Sequence, residues 1–439
     1  MQVELAFGKT GLSVTLPEGY RYQVIEARAA KALEDPDAAI RWALDHPEGC
    51  APLRELARGK RSAAISVCDI TRPAPNVVVL PPMLEILETA GIPREDITIL
   101  IATGLHRPAT EAEIREIVGP EIAGAYRVVN HHARELSEHR HLGETASGTP
   151  VYVDRRFTDA DVRITLGFIE PHLMLGFSGG RKLVAPGLAA QETIKVLHSS
   201  RFMQDPRTHE GSIEDNPLHR ELLEIARMAG HDFLVDVALG RAAAGDRRPI
   251  AAVFAGDLVK AHARGVEFVS RVMLEELDEP VDAVITTSAG YPLDLTFYQA
   301  VKGVTAASHV VKEGGRILLV ADCSEGVGAH EFTAMAARYG SAAEFLKAID
   351  GVPVTVDQWQ LEKLALAAAK VQLMFFMPGV PAEFHGSLWG PVFLDAESAV
   401  AGVLAGLPRG ARVAVIPEGP YVLARYSSAA SAVDRRAHV

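Results

Sequence analysis

The feature that most constrains the fold is a repeated alternation of short apolar runs with amphipathic segments. Residues 63–70 (AAISVCDI), 96–104 (DITILIATG) and 161–169 (DVRITLGFI) are rich in aliphatic side chains, as buried strands are. Amphipathic patterns typical of helices, at 76–91 and 110–119, separate them. Such alternation favours an α/β fold in which helices cover a largely parallel sheet.

The same alternation continues through predicted strands at 232–239 and 250–256 and begins again near residue 280. There it predicts a second series of strand, helix, strand, helix and strand, at 281–288, 295–311, 316–323, 358–369 and 371–377. A chain of 439 residues is also longer than one compact core usually is. We therefore predict two domains with mainly parallel, Rossmann-like sheets: residues 1–268, possibly completed by 411–439, and residues 270–408.

Charge and composition limit the class of partner. The formal net charge of −12 repels nucleic acid and acidic lipid, so any anion site must be a local basic pocket. No apolar run approaches the roughly 20 residues that span a bilayer, and the N-terminus lacks a secretory signal pattern. The cysteines, Cys50, Cys68 and Cys323, form no CxxC pair, as expected in a reducing compartment. We predict a cytoplasmic protein that binds a small molecule, not nucleic acid or a membrane.

Three unusual loops follow predicted strands of the first domain: 69–76 (DITRPAPN), 103–110 (TGLHRPAT) and 171–187 (PHLMLGFSGGRKLVAPG). Because ligands bind beyond the carboxyl ends of parallel strands, these loops predict a single pocket. In the first loop, Arg72 could bind a carboxylate or phosphate through two hydrogen bonds, and Asp69 could accept one from a histidine. Both could equally be surface residues that stabilise the turn.

The second and third loops contain His106 and His172, and histidine is a natural proton acceptor near neutral pH. Each could instead be a histidine that only packs its loop. In the third loop the order GGRKL is not that of a P-loop. A glycine turn with two cations could still bind one phosphate, although it could also be a solvated basic turn; its residues are Ser178, Gly179, Gly180, Arg181 and Lys182.

Histidines elsewhere raise the question of a metal. His198 lies in a predicted helix over 189–202 and could lean toward the same pocket as a metal ligand, although a single helical histidine is usually structural. The adjacent His131 and His132 suggest zinc, but the chain has no HExxH motif and no third ligand at a familiar spacing. We therefore interpret that pair as loop residues.

The second domain contributes polar and aromatic candidates. Gln299 and Lys302 are three residues apart on a predicted helix and therefore share a face. Tyr298 precedes them, and Trp359 lies among polar residues in DQWQLEK. These side chains could line a cleft or could simply pack between the domains.

Taken together, these motifs resemble those of the lactate racemase family, whose enzymes carry a nickel-pincer nucleotide. DITRP, GLHRP, PHLMLGFSGGRKLVAPG, the later His198 and YQAVKG occur in the same order with matching internal spacings, over about 66–360. The resemblance implies a pyridinium mononucleotide with two sulfur groups, tethered to a lysine through a thioamide. It implies nickel held by two sulfurs, a ring carbon and one histidine. It makes Lys182 the attachment site and His198 the nickel ligand.

The resemblance also implies a role for the other matched residues. His106 and His172 would be the two acid/base groups, and Arg72 and Lys302 would hold the substrate carboxylate. The implied reaction is racemisation or epimerisation of a 2-hydroxy acid, lactate or a larger analogue, by reversible hydride transfer to the cofactor. Further residues would line the pocket or contact the nucleotide: Asp69, Ser178, Gly179, Gly180, Tyr298, Gln299 and Trp359.

These assignments lead to further expectations. Because Lys302 belongs to the second domain, we expect an active site in an interdomain cleft that closes about hinges near 265–275 and 405–412. We expect Arg181 to lower the pKa of its neighbour Lys182, and a cofactor-biosynthesis machinery to be a partner. From the residues alone, a zinc-dependent hydrolase and a non-enzymatic nucleotide-binding or nickel-binding protein remain alternatives.

Overall fold

Strands and helices alternate along the chain in a computed structural model, which describes residues 1–28, 30–240 and 248–426. The described strands are β1 (Gln2–Leu5), β2 (Leu12–Thr15), β3 (Arg21–Val24), β4 (Ala63–Cys68), β5 (Ile97–Ala102), β6 (Arg127–Asn130), β7 (His139–Glu144), β8 (Pro150–Asp154), β9 (Val162–Phe168), β10 (Pro171–His172), β11 (Gly176–Phe177), β12 (Phe233–Leu239), β13 (Ile250–Gly256), β14 (Leu274–Leu277), β15 (Val281–Thr287), β16 (Val311–Val320), β17 (Gln372–Phe376), β18 (Val392–Phe393), β19 (Arg412–Ile416) and β20 (Leu423–Tyr426).

The described α-helices cover the faces of the sheets and connect their strands. They are α1 (Pro36–Asp45), α2 (Leu53–Ala57), α3 (Asn76–Thr89), α4 (Glu111–Val118), α5 (Pro120–Ala125), α6 (Arg155–Thr158), α7 (Gln191–Leu197), α8 (Ser200–Met203), α9 (Pro217–Met228), α10 (Lys260–Met273), α11 (Phe297–Ala307), α12 (His330–Arg338), α13 (Ala342–Ala348), α14 (Gln358–Ala368) and α15 (Ala396–Leu404). In the part of the chain covered by the structure, no helix is both long and apolar enough to cross a membrane.

The first domain is built on a six-stranded sheet in the order β13-β12-β9-β4-β5-β6. All its pairs are parallel except β12–β13, which is antiparallel. Every residue of β4 is buried. Alternate β4 side chains enter different cores, Ile65 and Val67 on one face and Ala64 on the other. Burial on both faces explains why these strands read as continuous apolar runs.

The second domain contains another six-stranded sheet, in the order β18-β17-β16-β15-β19-β3, and every pair in it is parallel. Its two faces also enter separate cores, with Val284 and Leu319 in one and Ile285 and Leu318 in the other. The prediction of an α/β fold with two domains and mainly parallel sheets is confirmed.

Strands β3 and β19, near the two ends of the described chain, belong to the second-domain sheet. Strand β3 pairs with β19, and the hairpin of β1 and β2 packs on the same sheet. The prediction that the first domain begins at residue 1 is therefore wrong. The prediction that 411–439 could complete that domain is wrong for β19. Strand β20 pairs with β14 outside both six-stranded sheets, and its Leu423 packs in one cluster with Ile169 and Phe177 of the first domain, while 427–439 lie outside the described residues. The sequence of a four-residue strand does not identify the strand with which it pairs, because pairing depends on its register with strands that are distant in the chain.

The connections between the domains follow from this pairing. The chain passes from the second domain to the first between β3 and α1, and returns between α10 and β15. The segment 405–412 lies between α15 and β19, inside the second domain. The expectation of an interdomain hinge there is wrong.

A buried carboxylate attaches a segment of the first domain to the second. Glu210 accepts hydrogen bonds from the Thr305 hydroxyl at 2.8 Å and from His309 Nε2 at 2.7 Å. Lys363 donates to the carbonyl oxygen of Thr208 at 2.7 Å. Burial alone would raise the pKa of Glu210, but His309 and Thr305 outweigh it and lower this pKa to about 2. The contact is therefore an ionised, satisfied carboxylate at the domain interface.

Replacing Glu210 by Gln is expected to lower the free energy of unfolding at neutral pH by about 3 kcal/mol, because it removes one partner of a buried pair. In the folded protein this carboxyl has a pKa below its ordinary value, so its stabilisation is complete above about pH 4.3 and is lost as pH falls toward 2. Urea unfolding at about pH 7 and about pH 3 should show the difference between wild type and variant shrinking at the lower pH. The exposed Glu116 on α4 provides the control, Glu116→Gln. An equal difference at both pH values would contradict the prediction.

Candidate active site

The loops that follow β4, β5 and β9 meet at one edge of the first sheet, because the carboxyl ends of parallel strands lie together. They surround a cavity of about 150 Å³ between the two domains, which α11 and the start of α14 close from the second domain. The cavity lining includes every predicted site residue except Gly180 and Arg181: Asp69, Arg72, His106, His172, Ser178, Gly179, Lys182, His198, Tyr298, Gln299, Lys302 and Trp359.

His106 is oriented by the carboxylate of Asp69, which lies 2.6 Å from its Nδ1. Asp69 is buried, and burial alone would raise its pKa, but His106, Arg72 and a hydrogen bond from Thr71 together lower this pKa below the ordinary range. An ionised carboxylate only accepts hydrogen bonds. His106 Nδ1 is therefore the donor, and Nε2 keeps a lone pair with which it can accept a proton.

His172 is held in the opposite way. Its Nδ1 accepts hydrogen bonds from the backbone N–H groups of Met174 and Leu175, each at 3.3 Å. Burial lowers the pKa of His172 well below its ordinary value, and nearby Lys182 and other cations add to the shift. The neutral ring therefore carries its proton on Nε2. The two histidines together present one proton acceptor and one proton donor to the same cavity.

The hairpin of β10 and β11 that contains His172 depends on a glycine. Gly176 has a φ of +75°, and a Cβ atom there would overlap the carbonyl oxygen of Ser212. The close approach brings the backbone N–H of Gly211 within 2.8 Å of the Gly176 carbonyl oxygen. Only a residue without a side chain fits this turn without strain.

Three cationic side chains line the cavity. Burial lowers the pKa of Lys182 to about 8, with Arg72 the next cause. Burial also lowers the pKa of Lys302, whose Nζ donates a hydrogen bond to Gln299 Oε1 at 2.7 Å. Basic groups gathered in a mainly apolar cavity are suited to bind an anionic ligand, whose charge favours their protonated forms.

Arg181 does not act as the sequence suggests. Its guanidinium is fully buried away from the cavity and donates hydrogen bonds to the carbonyl oxygens of Leu175 and Phe177, at 3.1 and 2.9 Å. Charge repulsion on Lys182 comes mainly from Arg72. The expectation that Arg181 lowers the pKa of Lys182 is therefore wrong, and Arg181 instead holds the loop behind the site.

The glycine turn is also used mainly for packing. The Ser178 hydroxyl donates to the carbonyl oxygen of Phe168 at 2.9 Å, and the Gly180 N–H donates to Asp236 Oδ1 at 3.2 Å. Gly179 has a φ of +89°, and a Cβ atom there would overlap Asp236. Gly180 does not line the cavity, so its position does not support the prediction that it contacts a bound nucleotide.

His198 ends α7, and its side chain reaches the cavity. Its Nδ1 donates to the carbonyl oxygen of Ile194 at 2.8 Å, and its ring packs against Trp359 with centroids 4.3 Å apart. Burial lowers the pKa of His198 to about 4, so the ring is neutral. A neutral imidazole whose second nitrogen donates to a carbonyl oxygen is the usual form of a metal-binding histidine.

The adjacent histidines His131 and His132 lie outside this cavity. His131 Nε2 is 2.9 Å from His139 Nε2, and His132 lies 3.3 Å from Glu138. Across residues 1–28, 30–240 and 248–426, no group of three or more His, Cys, Asp or Glu side chains is placed to hold a metal.

Sequence analysis did not single out Asp357 or Gln360, two polar residues of the lining. Asp357 and Gln360 both line the cavity near Trp359, at the start of α14. Asp357 has a φ of +66°, which few residues other than glycine adopt. The polar neighbours of Trp359 in DQWQ are a sequence signal that could have indicated both residues.

Comparisons with known proteins agree with this architecture. Residues 7–211 match the family model of the lactate racemase N-terminal domain, and residues 277–424 match that of the lactate racemase C-terminal domain. The chain is 31% identical to a lactate racemase of Thermoanaerobacterium thermosaccharolyticum, over 96% of this chain and 99% of that protein. It is 34% identical to a lactate racemase of Lactiplantibacillus plantarum, over 88% of this chain and 90% of that protein.

Solved structures give the same result. The structure of the lactate racemase apoprotein from T. thermosaccharolyticum superposes with a TM-score of 0.88 at 30% identity, covering 97% of this chain and all of that one. A crystal structure of a protein from Thermotoga maritima shares the fold at a TM-score of 0.67 and 17% identity, over 89% and 98% of the two chains. The chain therefore belongs to the lactate racemase family, a family of isomerases.

Proposed function

We propose that this chain racemises or epimerises a 2-hydroxy acid, with lactate as one candidate because both relatives are lactate racemases. The observation that carries the proposal is the pair of histidines in opposite hydrogen-bonding states, His106 and His172, in one cavity with Arg72 and Lys302. Inversion requires a proton to leave the substrate hydroxyl on one side and to return on the other, so two groups are needed.

The cofactor we propose is the nickel-pincer nucleotide, with nickel bound by His198 and the organic part tethered to Lys182. Two observations fit. Lys182 has a pKa lowered to about 8, so about a tenth of its amine is neutral and nucleophilic near pH 7, far more than for an ordinary lysine. His198 is neutral, and its Nδ1 is occupied by Ile194, which leaves Nε2 available to a metal. When bound, this cofactor would reversibly accept a hydride from C2 of the substrate. A cofactor-biosynthesis machinery would supply it.

The side chains of the protein bind the substrate and transfer its hydroxyl proton. Arg72 and Lys302 bind the carboxylate, which leaves C2 and its hydroxyl free to react. In one direction His106 Nε2 takes the hydroxyl proton while Asp69 stabilises the positive ring. In the other direction His172 takes it on Nε2, which requires the other tautomer of the ring. Nδ1 must then give up the two long hydrogen bonds from the backbone and carry a proton in place of the one that Nε2 releases. Side chains of α11 and the start of α14 cover the cavity from the second domain and so limit the access of water.

The test is chiral chromatography of a panel of 2-hydroxy acids, using protein from a host that makes the cofactor. We expect racemisation, a covalent mass increase and nickel in that protein, and none of the three in protein from a host without the biosynthetic machinery. A substrate labelled with deuterium at C2 should keep the label in the inverted product. Full activity without the cofactor, or rapid washout of deuterium into solvent, would overturn the proposal.

Replacing Asp69 by Asn is expected to lower kcat by about 10²-fold with a smaller change in KM. The variant leaves the shape of the loop but removes the charge that orients and stabilises His106. Steady-state kinetics with each enantiomer measures the effect. The control is Asp159→Asn, because Asp159 is exposed and directly follows α6. Wild-type kcat in Asp69→Asn would show that the contact is only structural.

A further inference from the structure

The start of α14 places an unsatisfied polar group at the cavity. Gln360 lines the cavity, is only 2% exposed, and its Nε2 has no hydrogen-bond partner. A buried donor without a partner costs free energy, so native proteins retain few of them without a reason. A ligand with an oxygen acceptor at this position would satisfy it.

Three other uncharged polar groups of the cavity already have hydrogen-bond partners within the protein. The Ser178 hydroxyl donates to a carbonyl oxygen, and Gln299 Oε1 accepts from Lys302. The Tyr298 hydroxyl accepts from Trp359 Nε1 at 3.1 Å. None of these interactions uses the amide nitrogen of Gln360.

A carboxylate accompanies this donor. Asp357 directly precedes α14, three residues before Gln360, and also lines the cavity. The Asp357 side chain lies within hydrogen-bonding reach of Tyr298. The Asp357 backbone has an unusual φ of +66°, and its carbonyl oxygen accepts a hydrogen bond from the backbone N–H of Gln360. A hydroxyl group suits such a pair, because it accepts from an amide and donates to a carboxylate.

We propose that Gln360 and Asp357 form a specificity subsite for a hydroxyl group on C3 or beyond, so that polyhydroxy acids are better substrates than lactate. This inference rests on the proposed function, in which Arg72 and Lys302 hold the carboxylate. The added hydroxyl accepts a hydrogen bond from Gln360 Nε2 and donates one to Asp357. The methyl group of lactate leaves the Gln360 amide unpaired.

The first test uses wild-type holoenzyme and two substrates of similar size. 2,3-Dihydroxypropanoate and 2-hydroxybutanoate differ only in carrying a hydroxyl or a methyl group on C3. We expect kcat/KM to favour the dihydroxy acid by at least about tenfold, because a site built to hydrogen-bond a hydroxyl rejects an analogue without it. Equilibrium binding of the racemic acids should show the same preference. Equal kcat/KM and equal affinity would overturn the inference without any variant.

The second test replaces the donor. Gln360→Met removes the amide at similar volume and should abolish the preference in both kcat/KM and binding. Gln358→Met, on the same helix but outside the cavity lining, should retain it. Intact mass measures cofactor attachment in each variant. Loss of the covalent adduct in Gln360→Met alone would assign the amide to the cofactor and overturn the subsite.

The two proposals fail in different ways. If wild-type holoenzyme binds the dihydroxy acid selectively through Gln360 but inverts no 2-hydroxy acid, the proposed function fails and the subsite stands. If it racemises both acids equally well, and Gln360→Met changes neither rate nor affinity, the proposed function stands and the subsite fails.

Discussion

Replacing Lys182 by Arg is expected to abolish the covalent mass increase and to lower racemase activity by at least about 10³-fold. Arginine keeps the positive charge and the long side chain, but its guanidinium stays protonated and cannot take the place of a neutral amine. Lys182 has the opposite character, because burial and Arg72 lower its pKa to about 8. Intact mass spectrometry and chiral chromatography on the same preparation measure both effects.

A matched control and a pH series make this prediction specific. Lys195→Arg, on α7 and outside the cavity lining, should leave the adduct and the activity unchanged. If the neutral amine is the reacting form, attachment of the cofactor should become faster as pH rises toward about 8 and should level off above it. Racemisation by Lys182→Arg at the wild-type rate would rule out a catalytic requirement for the tether.

Replacing either His106 or His172 by Asn is expected to lower kcat/KM for racemisation by about 10² to 10⁴-fold. Each single variant keeps one of the two groups, so each should still convert one enantiomer to the 2-keto acid, once per enzyme. The variants should therefore differ in the enantiomer that gives this single turnover. Rapid quenching and quantification of the keto acid measure it.

Two further variants serve as controls for the single histidine variants. The double variant His106→Asn with His172→Asn should give no keto acid from either enantiomer, and its loss in racemisation should be less than the product of the single losses. His132→Asn, outside the cavity, should behave as wild type. Single turnover from both enantiomers in both single variants would show that another group handles the proton.

The location of the site could be predicted from sequence because it depends on sheet geometry. Each apolar run that became β4, β5 or β9 ends in an unusual loop, and parallel strands bring their carboxyl ends to one edge. The resemblance in motifs connected the second-domain candidates, including Lys302, to the first-domain loops, a connection that no local pattern shows. The structure then places both sets in the same cavity.

The expectations that failed concern where a side chain points and which residues it contacts. Sequence proximity suggested Arg181 as the neighbour of Lys182, yet consecutive residues of the turn point to opposite sides of the loop, and Arg72 from another loop is the effective cation. The sequence also did not reveal the unpaired amide of Gln360, because whether a buried amide has a hydrogen-bond partner depends on atoms from distant segments. Glu210 is a further example, since its partners lie on α11 and just beyond it.

By itself the sequence determined the elements and the chemistry available to them. Apolar runs of strand length produced parallel sheets, and loops with histidine, arginine and lysine followed the strands. Only the tertiary structure decided which strand completes each sheet, and which nitrogen of His106 or His172 carries the proton. Register and hydrogen-bond partners are relations between segments far apart in the chain, and local side-chain periodicity contains no information about them.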